Sequence, residues 1–84
     1  MIEILLKINS SEEALKLVTL ANKLDNDIDF SNERVVVDAK SVMGVLSTDF
    51  SKPCKITIYT DIIDQSIDLF IKSIKKNLIK MEVV

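Results

Sequence analysis

The 84-residue sequence contains no histidine and no tryptophan, and it has only one cysteine, one glycine and one proline. Without an imidazole the chain cannot provide a histidine general base, a Ser/His/Asp or Cys/His catalytic group, or a histidine metal ligand. A single cysteine, Cys54, excludes an internal disulfide and a thiolate-rich metal cluster, and we expect it to be a reduced, buried thiol. The sequence therefore predicts no cofactor and no bound metal.

Net charge and hydropathy exclude further classes of protein function. The chain carries 11 Lys and Arg against 13 Asp and Glu, a net charge of −2, and 48% of its residues are hydrophobic. Such a balance offers no basic stripe for a phosphate backbone, so we expect no nucleic-acid binding. No apolar run approaches the roughly 20 residues of a membrane span, and no secretion signal precedes the first strand. We expect one globular domain over residues 1–84, without membrane insertion, in the cytoplasm.

Two hydrophobic periods alternate along the first 60 residues. Alternation in steps of two predicts strands, and a period near 3.6 predicts helices. Ser10 and Glu13 have the spacing of a capping box, so the first helix is predicted to begin near Ser11. The predicted elements in this part are strand 2–8, helix 11–24, a hairpin of strands 28–30 and 34–37, a short helix within 39–47 and strand 55–60.

The last part of the chain reads as one long helix. Its apolar stripe runs from Ile63 to Leu78, with acidic residues near the start and lysines toward the end, an order that complements the helix macrodipole. The lysines are interpreted as a solvated face, with an anionic partner or a membrane surface as the alternative. These charged residues are Asp61, Asp64, Asp68, Lys72, Lys75, Lys76 and Lys80.

The element order βαββαβα predicts an α+β fold with a four-stranded antiparallel sheet and three helices on one face. Some apolar residues fall outside the core stripes and are candidates for exposed surface, which leaves self-association open. They are Leu5, Ile62, Leu69 and Ile79.

One segment carries a family resemblance. The run Ala-Lys-Ser-Val-Met-Gly-Val-Leu-Ser at 39–47 resembles the regulatory-serine segment of HPr, the small phosphocarrier of the bacterial sugar phosphotransferase system. The register continues without gaps over roughly 10–78. The resemblance implies the open-faced βαββαβα sandwich of that family, in agreement with the periodicity.

The same register makes a statement about the missing histidine. In HPr proteins a His-Ala-Arg-Pro type motif starts the first helix, and its histidine accepts phosphate from Enzyme I. Here Ser10 stands at the position of that histidine, Glu12 at that of the arginine and Glu13 at that of the proline. Carboxylates repel a phosphoryl dianion, so we expect Ser10 to be a helix cap, no catalytic residue to be present, and Enzyme I to leave the chain unmodified.

The second family site is better preserved. Ser41 stands where the family serine is phosphorylated by the ATP-dependent HPr kinase, and the alternative role for Ser41 is helix capping alone. Val42, Met43 and Leu46 match family positions of an exposed apolar patch that docks on protein partners. The alternative is that these three residues belong to the core, for which Val45 is our first choice.

The leading functional hypothesis is therefore a regulatory protein-binding module that is not an enzyme. It is similar in logic to the catabolite repression HPr-like proteins, which lack the histidine yet retain the serine. By resemblance, its partners are HPr kinase, the catabolite control repressor or related regulators, and the chain itself is a monomer or weak dimer. The alternatives are a phosphocarrier that uses another phosphoacceptor, and a structural, self-associating domain.

Overall fold

The computed structural model describes all residues, 1–84. It contains one antiparallel sheet, three α-helices and a short 3₁₀ turn. In chain order the elements are β1 (Ile2–Leu6), α1 (Ser11–Ala21), β2 (Ile28–Ser31), β3 (Val36–Asp38), α2 (Val42–Leu46), β4 (Cys54–Ile58), α3 (Gln65–Ser73), the 3₁₀ turn (Lys75–Asn77) and β5 (Leu78–Val83).

The sheet has the strand order β3-β2-β4-β1-β5. β1 lies between β4 and β5, with Ile2 facing Ile58 on one side and Val83 on the other. The predicted hairpin is confirmed, since β2 pairs with β3 through Phe30 and Val37. The α+β sandwich expected from the sequence is the observed fold.

Alternation in the strands decides which side of the sheet is covered. In β1 Ile2, Ile4 and Leu6 are buried while Leu5 is exposed. The buried strand residues join apolar side chains of all three helices in a single cluster of 19 buried residues. One face of the sheet therefore carries the core and the helices, and the other face is open.

The predictions of a four-stranded sheet and of a long last helix are wrong for the C-terminal part of the chain. α3 begins where Asp64 accepts a hydrogen bond from the amide of Ile67 at 2.9 Å, but it ends at Ser73. Residues 78–83 then form a fifth strand beside β1. From Ile79 to Val83 apolar and charged residues alternate in steps of two, and strand pairing along the edge of β1 satisfies the backbone. Leu78, predicted on the helical stripe, packs against the core from the strand instead.

The shorter helix also changes the interpretation of the lysines. Lys72 remains in the last turn of α3 and pairs with Asp68 at 3.0 Å. Lys76 lies in the 3₁₀ turn and Lys80 lies in β5, so neither complements the dipole of α3. A dipole-matched lysine face is therefore correct for Lys72 alone among these three.

The apolar residues outside the core stripes are exposed, as the sequence predicts for Leu5, Ile62, Leu69 and Ile79. Cys54 is buried and free, also as predicted. Burial raises the pKa of its thiol, so the neutral form is favoured. None of the helices has the length and apolarity to cross a membrane.

Candidate functional site

The first candidate site is the start of α1, where the resemblance places the family histidine. Ser10 has extended backbone geometry, and its side-chain oxygen accepts a hydrogen bond from the amide of Glu13 at 3.2 Å. That bond satisfies one of the amides that a helix leaves free at its first turn. Ser10 is exposed and is the N-cap of α1, as the sequence predicts.

Glu13 departs from the predicted capping box. In a capping box the glutamate carboxylate accepts from the amide of the capping residue itself. Here Glu13 Oε1 accepts from the amide of Asn9, one residue earlier, at 2.8 Å. It also accepts from the side-chain amide of Asn77 at 3.0 Å, and Lys76 Nζ lies 3.3 Å from its other oxygen. The carboxylate is thus surrounded by donors from both ends of the chain.

Asn77 holds this arrangement in place. Its side-chain nitrogen also donates to the carbonyl of Lys7 at 2.9 Å, and its own carbonyl accepts from the amide of Lys7 at 2.9 Å. Asn77 therefore joins the loop after β1 to the turn before β5. Sequence reasoning missed Asn77, because no local pattern marks a contact between residues that lie 64 positions apart. It also missed Asn9, whose amide donates to Glu13 where the capping box predicted the amide of Ser10.

The surroundings of Glu13 favour its ionised form. The hydrogen bond from the Asn9 amide is the main cause that lowers the pKa of Glu13, and the contacts of Asn77 and Lys76 act in the same direction against partial desolvation. Glu12, in contrast, is exposed and makes no ion pair. Of the two carboxylates predicted at this site, only Glu13 takes part in a network.

The second candidate site is the segment around Ser41. Ser41 is half-buried and is the N-cap of α2, where its side-chain oxygen accepts from the amide of Gly44 at 3.1 Å. A Cβ at position 44 would lie 3.2 Å from both Ser41 Oγ and Val37 Cβ, so glycine allows this close approach. Capping by Ser41 is thereby established as one of its roles.

The segment before Ser41 is fixed to α1. Lys40 Nζ donates to the carbonyl of Leu24 at 2.6 Å, and the side chain of Asn22 donates to the carbonyls of Val18 and Lys40. Ser41 is therefore anchored at the C-terminal end of α1, whereas Ser10 caps the opposite end. The structure does not bring the two candidate serines together.

The faces of α2 separate core from surface. Met43 is 82% exposed, Val42 45% and Leu46 39%, whereas Val45 is fully buried. The alternative that places the first three in the core under the sheet is therefore incorrect, and Val45 is the core residue. We call Val42, Met43 and Leu46 the α2 patch. The patch lies directly beside Ser41.

Chemistry beyond these two segments is sparse. No group of three or more His, Cys, Asp or Glu side chains is arranged to hold a metal ion in the chain. On the open face of the sheet the hydroxyl of Tyr59 donates to Asp29 at 2.8 Å, and this bond is the main cause that raises the pKa of Tyr59. A bonded tyrosine of raised pKa is a poor nucleophile, so it adds no reactive centre.

Comparison with known proteins finds a solved structure of similar fold and a family model that matches the sequence. The crystal structure of HPr-C-His from Thermoanaerobacter tengcongensis superposes with a TM-score of 0.69 at 21% identity, over 88% of this chain and 90% of that one. This likeness concerns the fold. The family model of the PTS HPr component phosphorylation site matches residues 11–69, which is more than half of the chain. The chain belongs to the HPr family of the phosphotransferase system.

Proposed function

We propose that this chain is a regulatory protein-binding member of the HPr family that acts through Ser41 and the α2 patch and carries no phosphate on histidine. One observation carries the proposal: the position at which the family stores phosphate has no imidazole, and the donors beside it already bind a carboxylate of the chain itself. The proposal includes a cytoplasmic location, which a free buried cysteine suits.

The hydrogen-bond donors at the start of α1 already bind a carboxylate of the chain itself, that of Glu13. A transferred phosphoryl group needs backbone amides, a positive charge and the helix dipole around it. At this site Glu13 takes the Asn9 amide and the Asn77 side-chain amide, and it pairs with Lys76. A phosphate would have to displace a carboxylate that these contacts keep ionised. We infer that phosphotransfer at this site is disfavoured even if Ser10 were offered as acceptor.

The Ser41 segment has the opposite character. A phosphate on Ser41 would add a negative charge at the N-terminus of α2, where the dipole is favourable, beside an exposed flexible methionine. Methionine adapts to partners of differing shape, which suits a surface that meets both a kinase and a repressor. The partners we propose are HPr kinase, the catabolite control repressor or related regulators.

The first test asks whether phosphate enters from phosphoenolpyruvate. Purified Enzyme I, phosphoenolpyruvate and this chain are incubated, and the intact mass is measured with a histidine-containing HPr as positive control. We expect no mass shift for this chain under conditions that fully convert the control. A phosphorylated product would contradict the proposal, and loss of that product in Ser10→Ala would establish the alternative of a serine phosphocarrier.

The second test asks whether Ser41 is modified. The chain is incubated with HPr kinase and ATP, and the modified residue is located by mass spectrometry. We expect one phosphate that is absent in Ser41→Ala and retained in Ser47→Ala, a matched variant because Ser47 lies at the other end of the same helix. The site assignment is wrong if Ser41→Ala is still phosphorylated or if the wild type is never modified.

The third test concerns the α2 patch. Immobilised wild-type and Met43→Asp proteins, each in unmodified and Ser41-phosphorylated form, are exposed to purified repressor. We expect the repressor to bind the phosphorylated wild type at least about tenfold more tightly than the phosphorylated variant, because an exposed apolar anchor is lost. Equal binding by both proteins would remove the patch from the proposal while leaving Ser41 phosphorylation untouched.

A further inference from the structure

β5 leaves one side of the sheet without a neighbour. It lies at the end of the strand order, so its outer backbone groups have no strand partner within the chain. Its side chains are also unusual for an unprotected edge, since Met81 is 41% exposed and Val83 69%. Exposed apolar edge strands are templates for pairing with another strand.

The hydrogen bonds at the end of β5 show which of its residues face outward. The amide of Val84 donates to the carbonyl of Met1 at 2.7 Å, and the terminal nitrogen of Met1 donates back to Val84 at 3.1 Å. In an antiparallel ladder such doubly bonded pairs recur at every second residue. Glu82 and Lys80 therefore bond toward β1, and the amide and carbonyl groups of Met81 and Val83 point outward.

The charges of β5 make it complementary to itself in one register. Lys80 and Glu82 lie on the same face, with Nζ and Oε1 2.7 Å apart. If two β5 strands pair antiparallel with Met81 facing Met81, each Lys80 lies opposite Glu82 of the other copy. A register centred on residue 80 would place two lysines opposite each other, and one centred on 82 would place two glutamates together. Like charges directly opposite destabilise a strand pair, so charge favours the central register over these two.

We propose that β5 is the docking strand for a second copy of this chain, paired antiparallel about Met81 to form a continuous ten-stranded sheet. The backbone groups of the two Met81 residues exchange two hydrogen bonds. The regular ladder of β5 covers residues 80–83, because its register against β1 shifts at Ile79. Both β5 edges are used, so the assembly closes as a dimer. One strand pair buries less area than a standard interface, so the dimer is weak and depends on concentration.

The experiment is sedimentation velocity with charge variants. From about 10 μM to about 1 mM, the range in which weak interfaces associate, we expect the mass to rise from 9.5 kDa toward twice that value. Lys80→Glu alone and Glu82→Lys alone each place like charges opposite each other twice and should weaken the dimer about tenfold. An equimolar mixture of the two variants should associate again as a heterodimer, and the variant with both exchanges should self-associate like wild type.

Several outcomes would overturn the proposal. They are a monomer at every concentration, a dimer that neither single variant weakens, a mixture that fails to recover, and species larger than a dimer, which would indicate pairing of β5 with the β3 edge. Unfolding of the variants does not explain a weaker dimer, because the side chains of Lys80 and Glu82 are exposed and recovery on mixing requires folded chains. Circular dichroism of each variant verifies this directly.

Discussion

The orientation of α2 can be tested with two alanine variants two residues apart. Val45 is fully buried and Met43 is 82% exposed, so the same helix presents one residue to the core and the other to solvent. Both positions lie inside the helix, and methionine, valine and alanine differ little in helix propensity beside the cost of losing core contacts. The pair therefore isolates burial from helix formation.

The expected magnitudes follow from what each side chain contacts. Val45→Ala removes two buried carbon groups, worth about 1.6 kcal/mol of transfer free energy, and an incompletely collapsed cavity raises the loss to about 2–3 kcal/mol. For a domain of this size that corresponds to a fall in Tm of roughly 10–20 °C. Met43→Ala should change the free energy of unfolding by less than about 0.5 kcal/mol, because little of its side chain is buried.

Thermal and urea denaturation, followed by circular dichroism, give the Tm and the free energy of unfolding of wild type, Met43→Ala and Val45→Ala. The m-value should be the same for all three proteins, since each unfolds from the same compact state. Equal destabilisation by Met43→Ala and Val45→Ala would refute the orientation of α2. The α2 patch would then be core rather than surface, and the proposed docking role of Met43 would fall with it.

Two further predictions concern the network at the start of α1. The pKa of Glu13 is lowered in the folded state, so its carboxylate stabilises the fold above the ordinary pKa of 4.5. This stabilisation is lost as the pH falls through the lower folded-state pKa. The Tm difference between wild type and Glu13→Gln should therefore be largest near pH 7 and shrink by pH 3. A difference that stays constant with pH would show that the charge of Glu13 is irrelevant. Asn77→Ala removes the side-chain donor that bonds both Lys7 and Glu13, and it should lower the free energy of unfolding in urea by about 1–3 kcal/mol. The control Asn26→Ala loses one long hydrogen bond of 3.4 Å and should lower it by less than about 1 kcal/mol. Equal losses in the two variants would contradict the bridging role of Asn77.

Local patterns predict most of the fold, and the exceptions are non-local. The cap at Ser10 and the hairpin of β2 and β3 depend on residues close in sequence, so spacing alone was sufficient. The end of α3 has two competing local patterns, because Leu78 continues the helical stripe of Phe70 and Ile74 while residues 79–83 alternate at the strand period. Residues 78–83 pair with the edge of β1, which becomes a partner only in the assembled sheet.

The candidate site also has one part that local sequence predicts and one part that it does not. The position of Ser41 at the start of α2 and the burial of Val45 follow from short-range pattern and family register. The network of Glu13 does not, because Asn77 and Lys76 come from a turn near the other end of the chain. Sequence predicted a repulsive carboxylate at this site, and only the three-dimensional structure reveals that the carboxylate is already bound.

The place of β1 between β4 and β5 has a consequence for the order in which the molecule assembles. β1 is synthesised first, yet its neighbours are the last two strands, and Ile2 faces both Ile58 and Val83. Such pairings close loops that span most of the chain before any sheet contact compensates for the lost entropy. On a translating ribosome α1 and the β2–β3 hairpin can form early, whereas β1 must wait, exposed, for nearly the whole chain to emerge. Folding of this domain is therefore expected to be slow for its size, because β1 gains its strand partners only after β4 and β5 have emerged.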